Sequence, residues 1–249
     1  MKKVEVFGLD TLPLVKKGDD IPGLIITAVG GSGLEIEDGD IIVVTEKIVS
    51  KAQGRLLPLE SVVPSRKAQD LARVTGKDPR LVELILGESL EVVRAGEGHL
   101  IVETRDGHIL ANAGIDQSNI PGGFVKLPPL DPDGVAEEIR GEIMRRTGKR
   151  VGVVISDSVG RPFRSGSIGV AIGSSGLASL YDRRGEKDLY GRELEVTQVG
   201  VADCIASTAN LVGGEAAEGI PVVLIRGLDF PGEGRAADLV RPREQDLFR

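Results

Sequence analysis

Four short aliphatic runs constrain the fold of this chain more than any other feature: Ile41–Val44, Val151–Ile155, Ile168–Ile172 and Val222–Ile225. Each is only a few residues long and rich in β-branched side chains, the mark of a buried strand. Helical patterns lie between them at uneven intervals, with no steady βαβ alternation. The expected class is therefore α+β, with mixed or antiparallel sheets and helices, rather than a doubly wound parallel sheet. The chain of 249 residues is long enough for one large domain or two intimate ones. A single domain over 1–249 is expected. The rigid stretch Leu127-Pro128-Pro129-Leu130-Asp131-Pro132-Asp133 is the best candidate for a subdomain boundary, near 127–134.

The remaining elements follow from local signals. Val4–Phe7 alternates and predicts a first strand, and Pro13 keeps Leu12–Val15 extended. Gly30-Gly31-Ser32-Gly33 reads as a flexible turn. Glu46–Gly54 is either helical or extended. Helices are predicted at Arg66–Val74, opened by Pro64-Ser65 and stopped by Gly76, and at Pro79–Leu86. A strand is expected at Leu90–Arg94. The segments Leu100–Thr104 and His108–Ala111 predict a hairpin turning on Asp106-Gly107. Val135, Ile139 and Ile143 mark a helix over Val135–Arg146 that Gly148 stops, and Val201–Val212 marks another ending at Gly213-Gly214.

Composition narrows the function. A net charge of −7 and the lack of any basic run argue against nucleic-acid binding. No apolar run approaches the ~20 residues of a membrane span, and Met1–Phe7 lacks the apolar core of a signal peptide. Cys204 is the only cysteine, which fits a reducing, cytoplasmic setting and excludes an intrachain disulfide. It reads as a small buried apolar residue of a helix rather than a nucleophile. With only His99 and His108, both in the hairpin segment, a Ser-His-Asp triad or a histidine-built zinc site is disfavoured.

Two acidic signatures carry most of the chemistry: Asn112–Asn119 and Ile155–Ser158. Each follows a β-prone run and puts an aspartate, Asp116 or Asp157, where that run ends. Two readings stand. The aspartates cap turns, or they present oxygen ligands to a hard divalent cation, with Ser158 adding a hydroxyl. Glu215, in Gly213-Gly214-Glu215-Ala216-Ala217-Glu218-Gly219, is a third candidate ligand in a loop whose glycines permit close backbone approach. Gly160–Gly166 reads as a glycine-bounded loop whose Arg161 and Arg164 could clamp phosphate or carboxylate. Lys51 is a further phosphate partner. No phosphate-loop motif is present, and Gly232-x-Gly234-x-x-Ala237 lies too close to the end of the chain for a dinucleotide fold. Any nucleotide must bind at an atypical site.

Taken together, Leu12-Pro13-Leu14, Asp38-Gly39-Asp40, Ser50-Lys51-Ala52, Asn112–Asp116, Leu127–Gly134, Asp157-Ser158 with Gly160-Arg161, Lys187–Glu195 and Arg226-Gly227-Leu228 resemble the coenzyme F420-0:L-glutamate ligase family in order and spacing. The resemblance implies a GTP-dependent amide ligase joining L-glutamate to the carboxylate of coenzyme F420-0, with two divalent cations, Mg²⁺ or Mn²⁺, and allows for K⁺. It implies an intertwined homodimer of two intimate subdomains. By position, Asp116 and Asp157 would hold one cation, and Ser158 and Glu215 the other. Leu12, Pro13, Leu14, Val15, Glu46, Lys47, Lys51, Asn119, Gly213, Gly214, Glu215, Ala216, Ala217, Glu218, Gly219 and Ile220 would line the GTP site. Lys51 and Arg164 would be catalytic. Ala216-Ala217 stand where the family has glycines, which is harmless unless φ must be positive. No general base for the glutamate amine is legible. The competing classes are a nucleotide- and metal-binding regulatory module and a metal-dependent phosphohydrolase.

Overall fold

A computed structural model describes residues 1–247; the last two residues of the expected 1–249 domain lie outside the described residues. The central sheet has five strands in the order β1-β12-β2-β8-β9: β1 Glu5–Leu9, β2 Ile41–Thr45, β8 Gly152–Arg161, β9 Arg164–Ser175 and β12 Val222–Arg226. Only β2 and β8 run parallel, with Val44 opposite Ile155 and Thr45 opposite Ser156. The other pairs are antiparallel. The α+β class with mixed sheets is thus present.

The aliphatic runs are continuous because both faces of this sheet are covered. Ile42, Val44, Val153, Ile155, Val222 and Leu224 pack with residues of α1 (Ile21–Gly31), α2 (Glu46–Ala52) and α5 (Pro132–Thr147). Their alternates Ile41, Val43, Val154, Val223 and Ile225 pack on the opposite face with α6 (Val201–Gly213). Full burial of a side chain such as Ile205 on α6 is worth about 1.5–3 kcal/mol.

A third core lies apart from the sheet. Here α3 (Arg66–Thr75) and α4 (Pro79–Gly87) pack on the strands β4 (Ser89–Gly96) and β5 (His99–Thr104), a sheet that β6 (Ile109–Ala111) extends. The pair β3 (Leu56–Pro58) and β7 (Phe124–Lys126) adds Val125 to the same core. The proline-rich stretch after β7 leads from this core to α5. A small pair, β10 (Leu180–Asp182) and β11 (Gln198–Gly200), precedes α6.

Local chemistry explains the helix ends. Ser65 accepts from the Ala68 N–H and Gly76 takes φ 69°, so α3 begins at Arg66 as expected and runs one residue beyond the expected Val74 before Gly76 stops it. Glu46–Ala52 settles as helix. Three expectations are corrected. Gly30 and Gly31 form the last turn of α1, whose Ile21, Ile25, Ala28 and Val29 are buried on one face. Gly160–Gly166 is not a loop: β8 runs through Arg161 and β9 restarts at Arg164, with Phe163 at φ 62° in the turn. Cys204 is exposed, because α6 turns Val201, Ala202, Ile205, Ala206 and Ala209 inward and position 204 falls on the outer side.

The outer edge of β9 is finished by side chains. Asp203 accepts from the Ala171 N–H at 2.9 Å, Asp133 from the Ser174 N–H at 2.8 Å, and the Ser207 hydroxyl donates to the Gly169 carbonyl at 2.7 Å.

Candidate active site

A cleft of about 460 Å³ opens where the third core meets the end of β2 and the middle of β8. Its floor comes from the parallel pairing, which sets the β2–α2 junction beside Ser156, Asp157 and Ser158. One wall is the segment Leu12–Val15, another the loop after β6, and a third the loop Gly213–Ile220 after α6. All the residues expected to bind nucleotide or metal line this one cleft: Leu12, Pro13, Leu14, Val15, Glu46, Lys47, Lys51, Asp116, Asn119, Asp157, Ser158 and Gly213 through Ile220. Neither Ala216 nor Ala217 has positive φ, so the backbone there makes no demand for glycine.

Arg164, expected to be catalytic, does not line this cleft. It pairs with Arg161 at the far end of the β8–β9 hairpin, four residues beyond Asp157 on β8. At 3.3 Å per residue that is about 13 Å along the strand. Arg164 is exposed, and Arg161 turns a guanidinium N–H to the Ser165 carbonyl at 3.2 Å.

Asp116 is held from several sides. Lys47 Nζ lies 2.8 Å from its Oδ2, the Ser118 hydroxyl donates to that oxygen at 2.5 Å, and the Gln117 and Ser118 N–H groups donate to Oδ1 at 2.6 and 2.9 Å. Burial pushes its pKa up, but these donors outweigh it and hold the carboxyl well below the usual range. Asp157 is the opposite case. Its Oδ1 accepts from the Ser158 N–H at 2.8 Å. Burial and then the nearby Glu46 push its pKa up to about 7, with Lys126 acting the other way. The turn facing Asp157 is left-handed through three successive residues, Asn112 (φ 55°), Ala113 (φ 54°) and Gly114 (φ 71°). A Cβ on Gly114 would stand 3.4 Å from Asp157 Oδ2.

Across the cleft the Ser158 hydroxyl donates to Glu215 Oε2 at 2.9 Å, and the Ser167 hydroxyl reaches Oε1 at 3.4 Å. Lys51 Nζ donates to the Asn119 carbonyl at 2.9 Å, and the Asn119 amide donates to the Ala216 carbonyl at 2.8 Å. Burial and the neighbouring Lys47 hold the Lys51 pKa below that of a free lysine.

Lys126 is the residue that sequence reasoning missed. It is 1% exposed, and its ammonium donates to Glu46 Oε1 at 2.5 Å and to the Gly114 carbonyl at 2.9 Å. The available signal was a lone lysine in the apolar stretch Phe124-Val125-Lys126-Leu127.

The donor set suits a hard cation. It consists of carboxylate and hydroxyl oxygens, and Asp157 is a half-buried acid whose ionised form lacks a cationic partner of its own among the described residues. Among the described residues, no three of His, Cys, Asp and Glu already converge as a ligand cage. Two side chains per ion, completed by water and phosphate, is the way Mg²⁺ is usually held.

A second cavity of about 290 Å³ borders Asp203, His108 and Arg241. Asp203 there is engaged by the β9 edge. Burial raises its pKa and lowers that of His108.

No helix among the described residues is long and apolar enough to cross a membrane. The sequence profile of the F420-0:gamma-glutamyl ligase family matches residues 10–227. The coenzyme F420:L-glutamate ligase of Methanocaldococcus jannaschii is 53% identical over 249 residues, covering 100% of this chain and 98% of its own length. The protein of that name from Methanothermobacter thermautotrophicus is 51% identical over 249 residues, covering 99% of each chain. That from Archaeoglobus fulgidus is 48% identical over 247 residues, covering 99% of this chain and 97% of its own.

Proposed function

The chain belongs to the F420-0:gamma-glutamyl ligase family, and from that premise we propose that it is a GTP-dependent ligase forming an amide between L-glutamate and the carboxylate of coenzyme F420-0. The observation that carries the reading is that both acidic signatures, Asp116 and Asp157, open on one cleft shared with Lys47, Lys51 and Glu215.

A carboxylate and an amine do not condense at neutral pH, so the acid is first activated. The precursor carboxylate attacks the γ-phosphate of GTP, forming an acyl phosphate and releasing GDP. The glutamate amine then adds to the acyl carbon and expels phosphate. Asp116 and Asp157 would hold one divalent cation, Mg²⁺ or Mn²⁺, and Ser158 and Glu215 the other; the ions supply positive charge that offsets charge building on the transferring phosphoryl group. A K⁺ ion also belongs to this proposal.

The chain's own residues do the positioning. Leu12–Val15 and the backbone of Gly213–Ile220 form walls for the nucleotide. Lys51, already within reach of the loop at Asn119, offers an ammonium to phosphate oxygens. Lys47 keeps Asp116 ionised and aimed. Holding the reactants in line is expected to supply most of the rate. The active form is proposed to be a cytoplasmic, intertwined homodimer of two intimate subdomains.

The test incubates purified protein with GTP, Mn²⁺, L-glutamate and coenzyme F420-0. A precursor mass increase of one glutamate, matched by GDP release, is expected. GDP release without precursor would make it a phosphohydrolase, and binding without turnover a regulatory module.

A further inference from the structure

The cleft holds three carboxylates close together, Glu46, Asp116 and Asp157, and two lysines are bonded to them. Lys47 is bonded to Asp116 and Lys126 to Glu46. Among the described residues, Asp157 is left with only a backbone N–H on its Oδ1. The Glu46–Lys126 pair is shut away from water, with 4% of Glu46 and 1% of Lys126 exposed. The second oxygen of Glu46 takes the Ser50 hydroxyl at 3.3 Å.

Lys126 also builds the wall around Asp157. Its backbone exchanges both hydrogen bonds with Asp116, at 3.1 and 2.9 Å. Its ammonium fastens the Gly114 carbonyl, at the end of the left-handed turn that faces Asp157. One side chain therefore ties the β2–α2 junction to the turn that carries Asp116.

We propose that Lys126 is a positioning residue that withdraws Glu46 from cation binding, so that Asp157 and Asp116, and not Glu46, present the carboxylates of this part of the cleft. The proposal rests on the reading that the cleft binds a divalent cation. Its physical basis is charge count. A buried carboxylate bonded to a buried ammonium contributes no net charge to its neighbours, whereas either one alone leaves a full charge in a medium of low dielectric.

Removing Lys126 alone risks the fold, since it strands a buried carboxylate. The deciding comparison therefore uses Glu46→Gln and the double variant Glu46→Gln with Lys126→Met, a neutral pair of similar volume. Mn²⁺ binding in the presence of GDP is read from the free-ion electron paramagnetic resonance signal, with thermal melting as the check on folding. In Glu46→Gln the ammonium of Lys126 is uncompensated beside Asp157, and Mn²⁺ affinity should fall at least about tenfold. In the double variant the local charge is balanced again, and affinity should return to within about threefold of the unsubstituted protein. A double variant as weak as Glu46→Gln would make Glu46 itself a ligand and overturn the proposal. Unchanged affinity in Glu46→Gln would overturn it as well. If the unsubstituted protein takes up no Mn²⁺, the underlying cation reading is what fails, which the variants do not mimic.

Discussion

The hydroxyl of Ser158 donates to the carboxylate of Glu215 at 2.9 Å, closing a gap of 57 residues in sequence between the middle of β8 and the loop after α6. If this pair serves a cation, the charge of Glu215 matters and not only the contact. Glu215→Gln keeps an oxygen for the Ser158 hydroxyl but loses the charge. Both Ser158→Ala and Glu215→Gln should lower kcat/KM by about 10- to 100-fold. Steady-state rates at varied Mn²⁺ check this. A fully active Gln variant would reduce the pair to a tie between loops.

Asp157 links the cleft to pH. Its folded value of about 7 stands above the roughly 3.9 of an unfolded aspartate. Between the two, the folded protein holds a proton that the unfolded chain has lost. The stabilising contribution is therefore complete at acid pH and disappears as pH rises through about 7. Asp157→Asn has no proton to lose. Without divalent ions, its melting temperature relative to the parent should rise between about pH 5 and about pH 8. Parallel melting curves across that range would disprove the assignment. Mn²⁺, competing with the same proton, should bind the parent more tightly at the higher pH.

Lys51 is expected to act on phosphate. Its ammonium rests on the Asn119 carbonyl, and among the described residues no carboxylate is bonded to it. A charged hydrogen bond is worth about 1.5–3 kcal/mol. Lys51→Met should raise KM for GTP, lower kcat, or both, for a combined loss of about tenfold or more, with little change in KM for glutamate. Fluorescence titration with a GTP analogue separates the binding part. An unchanged GTP dependence would remove Lys51 from the site.

Gly169 is required for packing. A Cβ there would lie 2.3 Å from the Ala206 carbonyl oxygen, part of the α6 backbone. The helix would have to lift from β9, breaking the Ser207–Gly169 hydrogen bond. Gly169→Ala should cost about 3 kcal/mol, measured by urea unfolding, and because α6 leads into the Gly213–Ile220 wall, Mn²⁺ affinity should fall with it.

The central sheet was legible in its aliphatic runs because strands covered on both faces carry no polar interruptions, as Ile41–Val44 and Val222–Ile225 show. Asp116 and Asp157 were legible as candidates because an acid that follows a β-prone run is conspicuous, although β8 carries on past Asp157 to Arg161. Lys126 was not, since its meaning depends on Glu46, 80 residues earlier. The distance of Arg164 from the cleft was hidden for the reverse reason. This residue is near Asp157 in sequence, but extended backbone carries it to the tip of a hairpin. The helix α1 was obscured by Gly23, Gly30 and Gly31, although its buried residues keep helical spacing.

A strand as long as β9, with 12 residues, would ordinarily offer a template on which further chains could stack. With Asp203, Asp133 and Ser207 bonded to its backbone between Gly169 and Ser174, an incoming strand finds those groups already satisfied. This stretch of the sheet is therefore protected from edge-to-edge aggregation at high protein concentration without a charge inside the strand.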